Sequence, residues 1–226
     1  MYLVRIQRRA VRELKSWFPD LGPALEARLG QGGGAGVLAD VETRFCALLE
    51  VMPDPGWRAP LARAFSMGGA VYIATYLALA ARGVDAAGAW DVCAHATQSH
   101  FARLRGVSRW AASNGMFSRM THWLTRWLAR RSTRQPVGGW VVEYVPPAPG
   151  QHDFGVNYTR CAIRDLAISQ GAAAFAPYIC LSDAIGSDAL GWGLLRTEPL
   201  AQGGARCDFR FRRGQPTQVA RRLPVL

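Results

Sequence analysis

Apolar residues recur at helical spacing through the first half of the chain. Val11–Phe18 forms an amphipathic start that ends near Pro19, and the stretch LGQGGGAG reads as a flexible joint. Leu38, Val41, Phe45, Leu48 and Leu49 share one face of a helix over Leu38–Val51, which Pro53 and Pro55 terminate. A third helix is predicted over Leu61–Ala81, closed by Arg82-Gly83. A fourth covers Ala86–Leu104, with Asp85 placed to cap its free amides. A fifth covers Met116–Arg130, where Trp123 and Trp127 at i, i+4 read as a packing stripe.

The texture changes at Gly138-Gly139. WVVEYV and DFGVNYTR are strand runs, separated by the loop PPAPGQ. CAIRDLAISQG and APYICLSDAIG read as short helices, and LGWGLLRT and ARCDFRFRR as strands joined by the loop EPLAQGG. In the last strand Cys207, Phe209 and Phe211 share one face, and Asp208, Arg210 and Arg212 the other. The expected fold is α+β: an N-terminal helical half packed on a C-terminal four-stranded antiparallel sheet with two inserted short helices. Residues 1–36 form an N-terminal helix and Gly-rich joint. Residues 37–226 form the α+β domain, helical over 37–137 and sheet over 138–226.

The chain has 226 residues, half of them apolar, enough to bury a substantial core. The net charge is +11, and Lys15 is the only lysine among 27 basic residues. The densest cluster, Arg126, Arg130, Arg131 and Arg134, lies at a helix end, where cations suit the helix dipole. No zinc-finger, RNA-recognition or homeodomain signature accompanies it, so no nucleic-acid partner is expected. A field of this sign draws in an anionic small substrate. The apolar window Met67–Ala81 is shorter than the ~20 residues of a membrane span, so it reads as a buried core helix, with no membrane partner. The opening MYLVRIQRRAVREL lacks an apolar signal region, and the cysteine count, five, is odd. Free thiols in a reducing cytoplasm follow as the expectation. The tryptophan-rich helices leave room for a homodimer.

Several function classes lack their motifs. There is no phosphate-binding loop, dinucleotide fingerprint, CxxC pair, HExxH or GxSxG. GQGGGAG follows no strand and has the wrong glycine spacing. His95 and His100, at i, i+5, are poorly placed to share a metal, and with His122 and His152 they read as core or surface residues.

Reactive residues concentrate instead between Asn157 and Arg210. Cys161 stands where a strand becomes a helix, beside Arg160, and a thiol at a helix N-terminus next to a cation is expected to have a lowered pKa. Cys180 and Asp183, at i, i+3, share a helical face. Arg196, Cys207 and Asp208 complete the set. Cys207 also reads as a core residue beside Phe209 and Phe211, and Asp208 as one member of a surface ion pair.

The segment NYTRC-x18-C-x2-D-x12-R-x6-G-x3-CDFRF resembles the L-2-amino-thiazoline-4-carboxylic acid hydrolase family. The resembling elements are Arg160-Cys161, Cys180 with Asp183, Arg196-Thr197, Gly203, and Cys207-Asp208-Phe209. They cover the C-terminal part, while Ala70–Ala96 is similar in pattern only. Glu198-Pro199 departs from the ordinary strand continuation expected there, and a proline ends ladder pairing. The resemblance implies a cofactor-free hydrolase that opens a small carboxylated N/S-heterocycle. Cys161 (first choice) or Cys180 is the candidate nucleophile, and Cys207 is a third catalytic thiol. Asp183 and Asp208 are candidate general bases or amidinium partners. Asn157, Arg160 and Arg196 are candidate substrate-binding groups, the arginines because their fork matches a carboxylate. One alternative is a same-family tailoring enzyme, a cyclase or lyase acting on a larger substrate. Another is a non-enzymatic small-molecule or metal-binding protein, with zinc held by Cys161, Cys180, Cys207 and Asp183.

Overall fold

In the first half of the chain four long helices bury a shared apolar core, as their spacing implies. A computed structural model of the chain describes residues 2–56 and 58–220; residues 221–226 of the predicted sheet part lie outside that range. Helix α1 spans Tyr2–Leu29, α2 Gly34–Val51, α3 Pro60–Ala80 and α4 Ala86–Ala102. Helix α1 does not stop near Pro19 but runs through Pro19 and Pro23. Each proline removes one donor from the helical ladder. Against that loss, Leu14, Leu21 and Leu25 are fully buried, with α1 packed on α2 and α4. Burying three leucines contributes roughly 5–9 kcal/mol. Half of the stretch read as a joint is helix: residues 30–33 turn, and α2 begins at Gly34. Asp85 caps α4 as expected, its carboxylate accepting from Gly88 N at 2.8 Å.

The pattern fails next. A helix that no apolar periodicity announced, α5 (Gly106–Gly115), precedes α6 (Arg119–Ser132). Helix α5 buries none of its residues, so it leaves no stripe to read. Helix α6 starts at Arg119, where Ser118 Oγ accepts from Thr121 N at 3.1 Å. Its buried face is Thr125, Leu128, Ala129 and Ser132. Trp127 reaches the sheet core, but Trp123 is 63 % exposed, so the tryptophan pair is not a packing stripe.

The C-terminal part holds β1 (Val141–Val145), β2 (Phe154–Arg160), α7 (Ala162–Ser169), α8 (Ala176–Ile179), α9 (Ser182–Leu190), β3 (Leu194–Arg196), β4 (Cys207–Phe211) and β5 (Gln218–Val219). The sheet is mixed, with five strands in the order β1-β2-β4-β3-β5, rather than four antiparallel strands. The added strand, β5, runs parallel to β3 and spans two residues, too short to show an alternation. The inserted helices also differ from expectation, because the second one breaks around Cys180-Leu181 into α8 and α9.

Cross-strand register assigns the two faces, since directly paired residues point the same way. Tyr158 pairs with Cys207, Val156 with Phe209, and Phe154 with Phe211. These residues, with Leu194 and Arg196, face the packed side. Asn157 pairs with Asp208, and Gly155 with Arg210, on the other side. The packed side meets α6 and the start of α3, where Trp140 Nε1 donates to Ser66 Oγ at 3.0 Å. Ile163 of α7 touches both the helical core and the sheet core. A Cβ at Gly69 of α3 would lie 2.5 Å from Ile163, so the seam needs glycine there. No described helix is long and apolar enough to cross a membrane.

Candidate active site

Five elements deliver polar groups to one end of the packed side. Cys161 is the N-cap of α7, Cys180 the C-cap of α8, and Asp183 lies in the first turn of α9. Arg196 ends β3 and Cys207 begins β4. The three thiols and Asp183 lie within electrostatic reach of one another, and Arg196 acts on Cys180, Asp183 and Cys207.

Arg196 organises the cluster. It is 1 % exposed, and a buried guanidinium is tolerated only when paired. Its Nη1 donates to Asp183 Oδ2 at 2.6 Å and its Nη2 to the Cys180 carbonyl at 2.9 Å. Its Cζ stands 5.3 Å from the centre of the Phe209 ring. Asp183 is hemmed in enough that burial raises its pKa, with Arg196 pulling it back down. Yet 38 % of its side chain is open. The carboxyl is thus largely desolvated and still reachable from one side. Cys207 Sγ accepts from Leu200 N at 3.2 Å, tying the 3-10 turn Leu200–Gln202 to the cluster.

The thiols are held neutral, and the expectation for Cys161 is reversed. Burial pushes Cys161 up to about 12. The amides of Arg164 and Ile163 at the start of α7 lower it only in part, and none makes a capping bond. Arg160 does not help, because its Nε donates to Asp165 at 2.8 Å and its side chain is 52 % exposed. Burial likewise raises Cys180 and Cys207.

Two other candidates lie outside the cluster. Asn157 sits on the opposite side of the sheet, its Nδ2 donating to Glu143 and its Oδ1 accepting from Arg210 at 2.9 Å. Asp208 points the same way and closes the loop after β3. It accepts from Thr197 N at 2.9 Å, Thr197 Oγ1 at 2.6 Å and Glu198 N at 2.6 Å. That closure answers the Glu198-Pro199 departure: the chain leaves the ladder and is held by a carboxylate instead. Among the described residues no three His, Cys, Asp or Glu side chains are arranged to hold a metal ion, and Asp183 is engaged by Arg196. The alternative zinc set of Cys161, Cys180, Cys207 and Asp183 therefore has no matching geometry among the described residues.

Three groups join that the sequence did not single out. Tyr158 faces the cluster opposite Cys207, and burial raises its pKa. The alternation that placed Cys207, extended across β2, would have found it. Tyr72 of α3 comes within electrostatic reach of Asp183, its hydroxyl 2.8 Å from Thr97 Oγ1. Gln202 belongs to the turn held at Cys207, and that turn packs on α8. Among the described residues, the buried side-chain polar atoms without a partner are His122 Nε2, Arg196 Nε, and Gln202 Nε2 and Oε1. Such atoms are costly unless a ligand or water meets them.

Three thiols, a partly open carboxyl and a buried guanidinium thus meet at one end of the packed side of an α+β fold. The family model for L-2-amino-thiazoline-4-carboxylic acid hydrolase matches residues 65–211. The chain belongs to that family, whose name is that of a hydrolase. The match runs from α3 to the end of β4, so it takes in the seam at Gly69 and the whole cluster. It extends the resemblance well before the C-terminal motifs. No curated protein and no solved structure matches the chain.

Proposed function

We propose that the chain hydrolyses a small carboxylated nitrogen- and sulfur-containing heterocycle of the 2-amino-thiazoline-4-carboxylate kind in the recess around Asp183. The Arg196–Asp183 pair carries this reading: burial raises the carboxyl, a guanidinium fixes it, and part of it stays open. A carboxyl whose pKa is raised is a better base than an ordinary one and can take a proton and give it back. As carboxylate, Asp183 removes a proton from water while the water oxygen bonds to the amidine carbon. The ring carbon–sulfur bond then breaks and the carboxyl returns that proton to the sulfur. The second water proton ends on the ring nitrogen, giving a carbamoyl group and a free thiol.

Direct attack by Cys161 is the weaker route. With its thiol near 12, holding it ionised at pH 7 costs about 7 kcal/mol. In this reading Cys161, Cys180 and Cys207 form a neutral, polarisable wall. Arg196 is a positioning residue for Asp183. Its free Nε–H, and the Gln202 amide, meet the substrate's carboxylate and amino group.

The test is release of free thiol from 2-amino-thiazoline-4-carboxylate by the purified chain. Asp183→Asn is expected to lower kcat by about 10³-fold, measured below the melting temperature of the variant, which should fall because the buried Arg196 loses its charged partner. A wild-type chain that releases no thiol, or an Asp183→Asn variant at full rate, overturns the proposal.

A further inference from the structure

A second cleft, of about 560 Å³, opens at the far end of the same sheet side, where β2 begins and β4 ends. Its walls include Phe117, His122, His152, Asp153, Arg212 and Arg213. None of the thiols contributes to it. The volume suits a small organic molecule.

Its chemistry is that of an acceptor-seeking site. Asp153, the one carboxylate in the wall, is turned to the backbone, accepting from Arg213 N at 2.8 Å. The Arg213 guanidinium lies over the Phe117 ring, 4.7 Å from its centre. Neither Arg212 nor Arg213 has a carboxylate partner among the described residues. His122 adds a directional group. Tyr144 OH lies 3.2 Å from His122 Nδ1 and accepts from Arg126 Nη2 at 3.3 Å. Arginine can only donate. The phenolic hydrogen is therefore free to go to Nδ1, which leaves the imidazole proton on Nε2. That Nε2–H is buried and has no acceptor among the described residues. Burial and Arg126 lower the imidazole pKa and outweigh the raising effect of Asp153, in keeping with this neutral form.

We infer that this cleft binds a small oxyanion, a carboxylate or phosphate, through Arg212 and Arg213, with His122 donating from beneath. The site is separate from the recess at Asp183 and does not depend on the reaction proposed there.

Calorimetric titration of the full chain with sodium benzoate, and separately with inorganic phosphate, at matched ionic strength tests it. Saturable binding of at least one anion is expected, and which one binds distinguishes carboxylate from phosphate. Arg212→Gln and Arg213→Gln, both at exposed positions, are expected to weaken binding at least about tenfold each without lowering the melting temperature. Cys161→Ser should leave it unchanged. Imidazole nitrogen NMR should show His122 protonated on Nε2 and shifted by the anion. No saturable binding of either anion, or binding that survives the double arginine variant, overturns the inference.

Discussion

Asp183 and Asp208 each stand beside a cysteine motif, each within reach of Arg196-Thr197, and they end up doing opposite things. Asp183 receives one guanidinium, stays partly open and has its pKa raised by burial. Asp208, one residue past Cys207, is carried by the strand's alternation to the other side of the sheet. There three donors from Thr197 and Glu198 occupy it. A carboxylate saturated by backbone and hydroxyl donors holds a loop. One with a single strong partner and an open edge retains capacity for a substrate. The number of donors already committed, rather than closeness to a thiol in the sequence, separates the two roles.

Exchanging the two carboxylates in turn is the harshest test. Asp183→Asn is expected to remove about 10³-fold of kcat, whereas Asp208→Asn should keep kcat within about threefold. If the second variant loses as much activity as the first, the division between sides of the sheet is wrong.

The next test removes the fork but keeps the charge. Arg196→Lys cannot reach Asp183 and the Cys180 carbonyl together, so kcat should fall about 10²-fold. The pH profile discriminates positioning from packing. The proposed role of Asp183 as base requires its deprotonated form, so kcat/KM should rise with pH through a pKa raised above that of an ordinary aspartate. Arg196 lowers that pKa first through its charge, so the rise should stay near its place in Arg196→Lys and move to higher pH in Arg196→Gln, which removes the charge. An Arg196→Gln variant that loses rate with no displacement of the profile would make Arg196 a packing residue only.

The two carboxylates also mark what the chain makes legible. The sequence pattern places Cys207, Phe209 and Phe211 on one side and Asp208 on the other, and the register agrees. It finds α2, α3 and α4 because their apolar stripes are buried. It misses α5, which buries nothing, and β5, which spans two residues. It stops α1 at Pro19, where packing of Leu21 and Leu25 overrides the local break. For the site, spacing collects the three thiols, Asp183 and Arg196 in one segment. It is blind to what occupies their partners: that Arg160 turns to Asp165, that Asn157 is spent on Arg210, and that Tyr72 arrives from α3. The Cys161 prediction fails for the same reason. Helix position and a neighbouring arginine are local, whereas burial, the dominant cause, is tertiary.

A smaller effect bears on the thiols. If they form a neutral wall, Cys161→Ala should cost about tenfold in kcat, through lost packing around the substrate, rather than abolish turnover. Alkylation of Cys161 by iodoacetamide should be slow at pH 7 and accelerate only far above pH 9, in line with a thiol near 12. Rapid alkylation at neutral pH, with loss of all activity, would restore Cys161 as the nucleophile.

The smallest expected effect tests where the recess ends. Arg160 closes β2 beyond Tyr158, the last residue of that strand paired with β4, and its guanidinium lies on the surface against Asp165. An ion pair this exposed contributes at most about 1 kcal/mol. Arg160→Ala is therefore expected to change stability by less than that and to leave KM unaltered. Steady-state kinetics on the heterocyclic acid decides it, because a guanidinium that held the substrate carboxylate would raise KM at least about tenfold when removed. Such a rise would mean that Arg160 leaves Asp165 to meet the substrate. An unchanged KM would leave the carboxylate to the Nε of Arg196 and the Gln202 amide, buried polar groups that have no hydrogen-bond partner among the described residues.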